Sequence, residues 1–157
     1  MTRATAILVC TAVLSCGTGC LHLDVPRDFL VVSSWTDAFE VPPAAHIAAV
    51  AADEAQLRVS SFRDDWDGNL DYWYQALEHD LVDRRGYTLL QRADRQDAKG
   101  LSGREMVFSV THAGISKKYL VCVFDAGQRI RVVELTAAAE VFDRHLEAVQ
   151  AAIATLR

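Results

Sequence analysis

The chain has 157 residues, 51% of them hydrophobic and 24% charged, a balance that fits one folded domain and excludes a disordered or fibrous chain. Its net charge of −5 comes from dispersed charges of both signs, which excludes the basic stripe that nucleic-acid phosphates require. Setting aside about 19 residues for targeting leaves about 138, enough to bury a core without a structural metal or disulfides.

The first twenty residues read as a secretory signal. Arg3 supplies a positive n-region, Ala4 to Leu14 is almost wholly apolar, and Ser15, Gly17, Thr18 and Gly19 are small. The apolar stretch is about 11 to 13 residues, short of the roughly 20 that span a bilayer. Two cysteines follow small residues, in Val13-Leu14-Ser15-Cys16 and Gly17-Thr18-Gly19-Cys20. Both resemble the bacterial lipobox, whose cysteine becomes residue one and carries the acyl chains. Cys20 is the expected lipidation (palmitate) site and Cys16 the alternative. Cys16 has an aliphatic residue three positions earlier but bulky Leu14 two before it. Cys20 has small residues at both preceding positions but Gly17 in the aliphatic place. The expected organisation is a signal peptide over 1–19, a lipidated cysteine with a short tether over 20–27, and a single α+β domain over 28–157. The domain is then held at a cell membrane or outer membrane, facing the periplasm or exterior. Cys122 is the only cysteine in the body of the chain, in the apolar run Tyr119 to Phe124, and reads as a buried small hydrophobe.

Pro26 and Pro42-Pro43 punctuate the entry to the domain, and Phe29 to Trp35 between them is β-rich. His46 to Ala51 and Leu57 to Phe62 are strand candidates joined by a turn at 52–55. Asp67 or Asn69 can cap a helix running to Arg85. Leu70, Trp73, Tyr74, Leu77, Leu81 and Val82 form its apolar stripe, and Gly86 suits the C′ position. Four strands follow, at Tyr87 to Arg92, Arg104 to Thr111, Lys118 to Phe124 and Arg129 to Leu135, with glycines in the gaps. That spacing predicts an antiparallel meander. A last helix runs from about Ala138 to Leu156, with His145 on its apolar face. The predicted class is α+β: an antiparallel sheet of five to seven strands packed with two main helices, in the order ββαββββα.

This order resembles the PsbP/DcrB-like α/β/α sandwich. The resemblance is carried by the Val25-Pro26-Arg27-Asp28-Phe29 entry, Leu70-x-x-Trp73, Arg85-Gly86-Tyr87, Gly103-Arg104-Glu105-Met106-Val107-Phe108, Tyr119-Leu120-Val121 and Val132-Val133-Glu134, and it covers residues 26–157. It implies a non-enzymatic accessory or binding role at a membrane and transfers no set of functional residues.

The chemistry-bearing residues point the same way. Asp65, Asp67, Asn69 and Asp71 alternate like the first ligands of a calcium loop. Leu70 then stands where a glycine is required and Ala76 where a bidentate Glu is required, so a helix-capping turn is expected. The five histidines show no ligand-like pair, Gly100-x-x-Gly103 lacks the residues of a phosphate loop, and no metal or cofactor is expected. Glu105 and Glu134 could meet across neighbouring strands as an acid–base pair, which keeps a small hydrolase-like envelope enzyme as the alternative function. Trp66 and Tyr72, aromatics beside carboxylates and off the helix stripe, form the candidate patch for an envelope protein partner.

Overall fold

A computed structural model describes residues 21–31, 47–65 and 68–157, leaving aside the side chain of His112. The elements run β1 (Phe29–Val31), β2 (Ile47–Ala51), β3 (Gln56–Arg63), α1 (Leu70–His79), β4 (Thr88–Gln96), β5 (Ser102–His112), β6 (Ile115–Asp125), β7 (Arg129–Ala138) and α2 (Ala139–Ile153). They build one seven-stranded antiparallel sheet in the order β1-β2-β3-β7-β6-β5-β4. The meander β4 to β7 is as expected. What closes the sheet is the pairing of β3 with β7, eight residues in register from Gln56↔Thr136 to Arg63↔Arg129. The chain reaches β4 only after crossing the sheet through α1.

The helices cover opposite faces of the sheet. One face packs Leu57, Leu120, Phe124 and Leu135 against Phe142, Val149 and Ile153 of α2. The other packs Met106, Phe108, Val121 and Ile130 against Tyr74 of α1 and Leu81 beyond it. β6 lies centrally and is buried on both sides. Its run Leu120-Val121-Cys122-Val123-Phe124 is at most 2% exposed throughout, so it reads as continuous apolar sequence.

The helix ends have local causes. Asn69 caps α1, its Oδ1 accepting from Tyr72 N at 2.9 Å. The other cap candidate, Asp67, lies outside the described residues. The single helix expected to run to Arg85 is α-helical only to His79, and widens to a π-helical turn over Asp80–Arg84. Arg85 N donates to Asp80 O, five residues back, at 3.1 Å. Gly86 then ends it at φ +70°, the conformation expected at C′. In the β6–β7 turn, Gly127 takes φ +77° and its N–H donates to Asp125 Oδ1 at 2.9 Å.

Register aligns one row of residues across five strands on the α2 face: Arg95, Gly103, Phe124, Arg131 and Ser61. Gly103 is there to be covered. A Cβ at that position would stand 2.4 Å from two ring carbons of Phe124, which is fully buried. Alanine is acceptable to the backbone here, and loss of glycine's unfolded-state freedom favours it by about 0.4–1 kcal/mol. Overpacking against an immobile ring costs about 1–3 kcal/mol and decides the sign. Gly103→Ala should therefore lower the urea midpoint without changing the slope. An unchanged or raised midpoint would show that the ring yields.

Candidate functional site

A cleft of about 750 Å³ lies where the β4–β5 hairpin, the start of α1 and the end of α2 converge. Leu70 and Ala154 give it apolar walls, and Arg95, Arg104, Ser102 and Gln150 give it polar ones. Beneath it is a charged group held inside the fold. Glu105 is 1% exposed on the α2 face. Arg95 donates to it through Nε (2.9 Å) and Nη2 (2.8 Å), and Gln150 Nε2 donates to the same carboxylate at 2.9 Å. The register explains the contact, because β4 and β5 pair antiparallel and place Arg95 opposite Gly103, one row from Glu105 on the same face. The carboxylate in turn holds the Arg95 guanidinium more firmly protonated.

A second buried carboxylate closes the neighbouring turn. Asp97 Oδ1 accepts from Lys99 N and Leu101 N, each at 2.8 Å, and its Oδ2 lies 3.5 Å from Arg131 Nη1. Arg129 adds donors to the Ser61 hydroxyl and carbonyl at the far side. Arg104 points to the outer rim instead. It pairs with exposed Asp71, approaches exposed Asp94 at 3.9 Å, and lies 5.3 Å over the Tyr74 ring.

Cys122 sits beside this cluster as the cross-strand neighbour of Glu105. Burial first, and then the Glu105 charge, push its thiol well above the ordinary range, so it stays protonated. It is the buried small hydrophobe that its sequence context suggests. Glu105 and Glu134 do not meet. β6 separates their strands, and strand alternation sends Glu105 to the α2 face and Glu134 to the α1 face. There Glu134 accepts a 2.6 Å hydrogen bond from the Tyr119 hydroxyl.

Among the histidines, His145 is buried in α2. Its Nε2 donates to both oxygens of Asp53, at 2.9 and 3.0 Å, and Phe29 meets its ring edge-on at 4.9 Å. That hydrogen bond, helped by Arg144, holds the Asp53 carboxyl below its usual range, although burial opposes the shift. The pair ties α2 to the β2–β3 turn. Sequence reasoning placed His145 on the apolar face but missed Asp53, whose only signal was its place in a turn. The calcium-like run forms no ligand set among its described members: Asn69 caps α1, Asp71 pairs with Arg104 and Asp65 with Arg63. Among the described residues no group of three or more His, Cys, Asp or Glu side chains could hold a metal ion.

No protein-family model matches the sequence, and no curated protein matches it. Solved structures do match. The cyanobacterial PsbP protein CyanoP of Synechocystis sp. PCC 6803 covers 91% of this chain and 96% of its own at TM-score 0.59 and 14% identity. The fold is PsbP-like. LpqN of Mycobacterium tuberculosis, described as involved in cell envelope biogenesis, matches 87% of this chain and 82% of its own at TM-score 0.57 and 14% identity. A Pseudomonas aeruginosa protein of unknown function, PA94, matches 88% and 97% at TM-score 0.56 and 19% identity. At these identities the likeness concerns the fold alone.

On the PsbP-like sandwich, Tyr72 stands 52% exposed on α1 and meets Trp73 edge-on at 5.3 Å. Trp73 in turn meets Phe62 of β3 at 5.8 Å and donates from Nε1 to Asp64 at 3.2 Å. The row Tyr72–Trp73–Phe62 is thus an aromatic surface anchored by a half-buried tryptophan. Trp66, the other half of the expected patch, lies outside the described residues, as do both lipidation candidates, Cys16 and Cys20.

The ion pair under the cleft has a measurable signature. Removing one partner strands the other charge in the interior, at a typical loss of about 3–5 kcal/mol, whereas replacing both with apolar groups is often near neutral. Arg95→Met alone should therefore be strongly destabilising, and Arg95→Met with Glu105→Leu should recover most of that loss in urea titrations. If the two losses simply add, Glu105 is not the charge that Arg95 compensates.

Proposed function

We propose that this chain is a lipid-anchored cell-envelope protein whose domain is a non-catalytic binding module for an envelope protein partner. The observation that carries the reading is in the sequence: an n-region, a short apolar stretch and Gly17-Thr18-Gly19-Cys20 directly precede a segment in which Leu23 is already core. Several acyl chains at about 0.8 kcal/mol per buried methylene hold such a protein firmly at a bilayer. Among the described residues no helix is long and apolar enough to cross a membrane. The likeness in fold to LpqN, a protein described as acting in cell envelope biogenesis, supports an envelope role.

The binding reading draws on how the buried ionisable groups are used. Glu105 and Asp97 are both committed to arginines and to neighbouring amides, and the Cys122 thiol is sealed and protonated. Catalytic acids, bases and nucleophiles are instead left facing a substrate. The exposed Tyr72 ring, with Trp66 earlier in the chain, offers the rigid aromatic contact that protein interfaces favour.

Two experiments test the two halves. In cells fed a palmitate analogue, Cys20→Ala should abolish labelling and leave an unprocessed precursor. Loss of labelling only in Cys16→Ala moves the anchor four residues upstream, and labelling that is absent from the start, or that survives both changes, removes the anchor altogether. A photo-crosslinking residue at Tyr72 should capture one discrete envelope protein in cells, and one at Glu147 on α2 should not. Equal capture from both positions would dismiss the aromatic patch.

A further inference from the structure

One long edge of the sheet is open. Among the described residues β4 pairs only with β5, so the backbone groups on its outer side have no strand to bond. Such an edge is a template for a further strand. The cleft described above lies beside its last residues, Asp94 to Gln96, between Leu70 at the start of α1 and Ala154 just past α2.

The side chains on this edge follow a particular order. Arg92 and Asp94 share the α1 face, opposite Met106 and Arg104 of β5, while Gln91, Ala93 and Arg95 share the α2 face. Glu78 of α1 holds the Arg92 guanidinium at the edge, accepting from Nη2 at 2.5 Å and from Nε at 3.3 Å. Asp94 is 95% exposed, and its one described ion pair is the 3.9 Å contact with Arg104. Charges on an edge strand ordinarily deter pairing. Here they deter every symmetric register but one. Two antiparallel edges close into a pair about an axis normal to the sheet, so each face keeps its side and one residue meets its own copy. Centring on Arg92, Asp94 or Arg95 sets a charge against itself, which destabilises a ladder. Centring on Gln91 or Gln96 runs the ladder into the bulge at Leu90 or the turn at Asp97. Ala93 remains, small and uncharged.

We infer that a second copy of this chain pairs with β4, antiparallel and centred on Ala93. In that register Arg92 of each copy stands opposite Asp94 of the other, twice over. The α1 face then carries a row of alternating sign across the axis: Glu78 and Arg92 of one copy, followed by Asp94 and Arg104 of the other. On the α2 face Gln91 meets Arg95, and no like charges meet. The same register brings Leu90, 52% exposed, to the Gln96 end of the other copy, where Leu70 and Ala154 offer apolar walls. A ladder of about five residues is small beside the roughly 1,200–2,000 Å² of a standard interface, so the dimer is weak and concentration-dependent.

The test uses the full chain, expressed in bacterial cells under two C-terminal epitope tags. Ala93→Cys and, separately, Gln96→Cys are treated with a short thiol-to-thiol crosslinker. Cys122 is buried, and the unchanged chain gives the background from the remaining cysteines. Residue 93 meets its own copy on the axis, whereas the two copies of residue 96 stand about 20 Å apart. Ala93→Cys should therefore yield an adduct of twice the chain mass and Gln96→Cys should not. Capture at neither position, capture at 96 as strong as at 93, or an adduct of any other mass overturns the pairing. The last of these would mean that a different protein occupies the edge. A charge exchange tests the register independently. Asp94→Arg and Arg92→Asp should each weaken co-precipitation of the two tags about tenfold, because each reversal makes both cross-axis pairs repulsive. Expressed together, one variant under each tag, they should recover it, since two positive charges then face two negative ones. Unchanged association in both single variants, or loss in both without recovery in the mixture, overturns the assignment. Melting curves establish that each variant is folded. Where Arg92→Asp fails to fold, having also given up Glu78, the comparison of positions 93 and 96 decides.

Discussion

A central strand that is apolar on both sides sets the terms for the rest of this molecule. Leu120 to Phe124 of β6 put buried side chains on both faces of the sheet, so neither face can be left to water. Each such side chain is worth about 1.5–3 kcal/mol when fully buried, and exposing either set forfeits much of a small domain's net stability. Cover on both faces is therefore obligatory. α1 supplies it over β5 and β6, and α2 over β6 and β7. The sandwich follows from one strand's composition more than from any helix propensity.

The same constraint makes polar side chains in the sheet interior costly, and the structure answers it by pairing. Glu105 lies one row from the Phe124 ring and opposite Cys122, surroundings in which a lone carboxylate would not stay charged. Arg95 and Gln150 reach it from an edge strand and from α2, tying the sheet margin to the helix. His145 and Asp53 do the equivalent at the middle of α2. The helix is thus pinned at mid-length and toward its C-terminal end by charged contacts, and along its length by Phe142, Val149 and Ile153. A charge network under a cleft has the outward form of an active site. Here Glu105 is spent on Arg95 and Gln150, and that contact braces the sheet margin against α2.

Most of the fold was legible because its signals are local. The stripe from Leu70 to Val82, the glycines between the strands and the apolar run of β6 each answer to one element, so class and order could be read directly, while the strand count was bounded at five to seven and the order ββαββββα left out the short β1. Pairings between distant elements could not. Nothing around Ser60 announces β7 as its partner, and nothing around Asp53 announces His145, because such contacts depend on how elements fall together in space. The two glutamates failed for a related reason. The predicted meander already put a strand between theirs; β6 does intervene, and alternation turns Glu105 and Glu134 to opposite faces. The helix that became π-helical at Asp80 kept its apolar spacing while its hydrogen bonds moved back one residue, a change invisible to periodicity.

Where a chain is fastened decides what its surface can do. An anchor on a long flexible tether lets a domain present any face to the membrane, and then no surface residue has a defined environment. A backbone bridge between His22 and Arg157 removes that freedom from the first described residues, which are held as part of the domain. The cost of ordering them is met during folding, by burial of Leu23 and the hydrogen bonds around it. The aromatic row at Tyr72 obeys the same logic. It is carried on a helix packed against the sheet through Tyr74, so its rings keep a fixed geometry relative to the corner that His22 and Arg157 close.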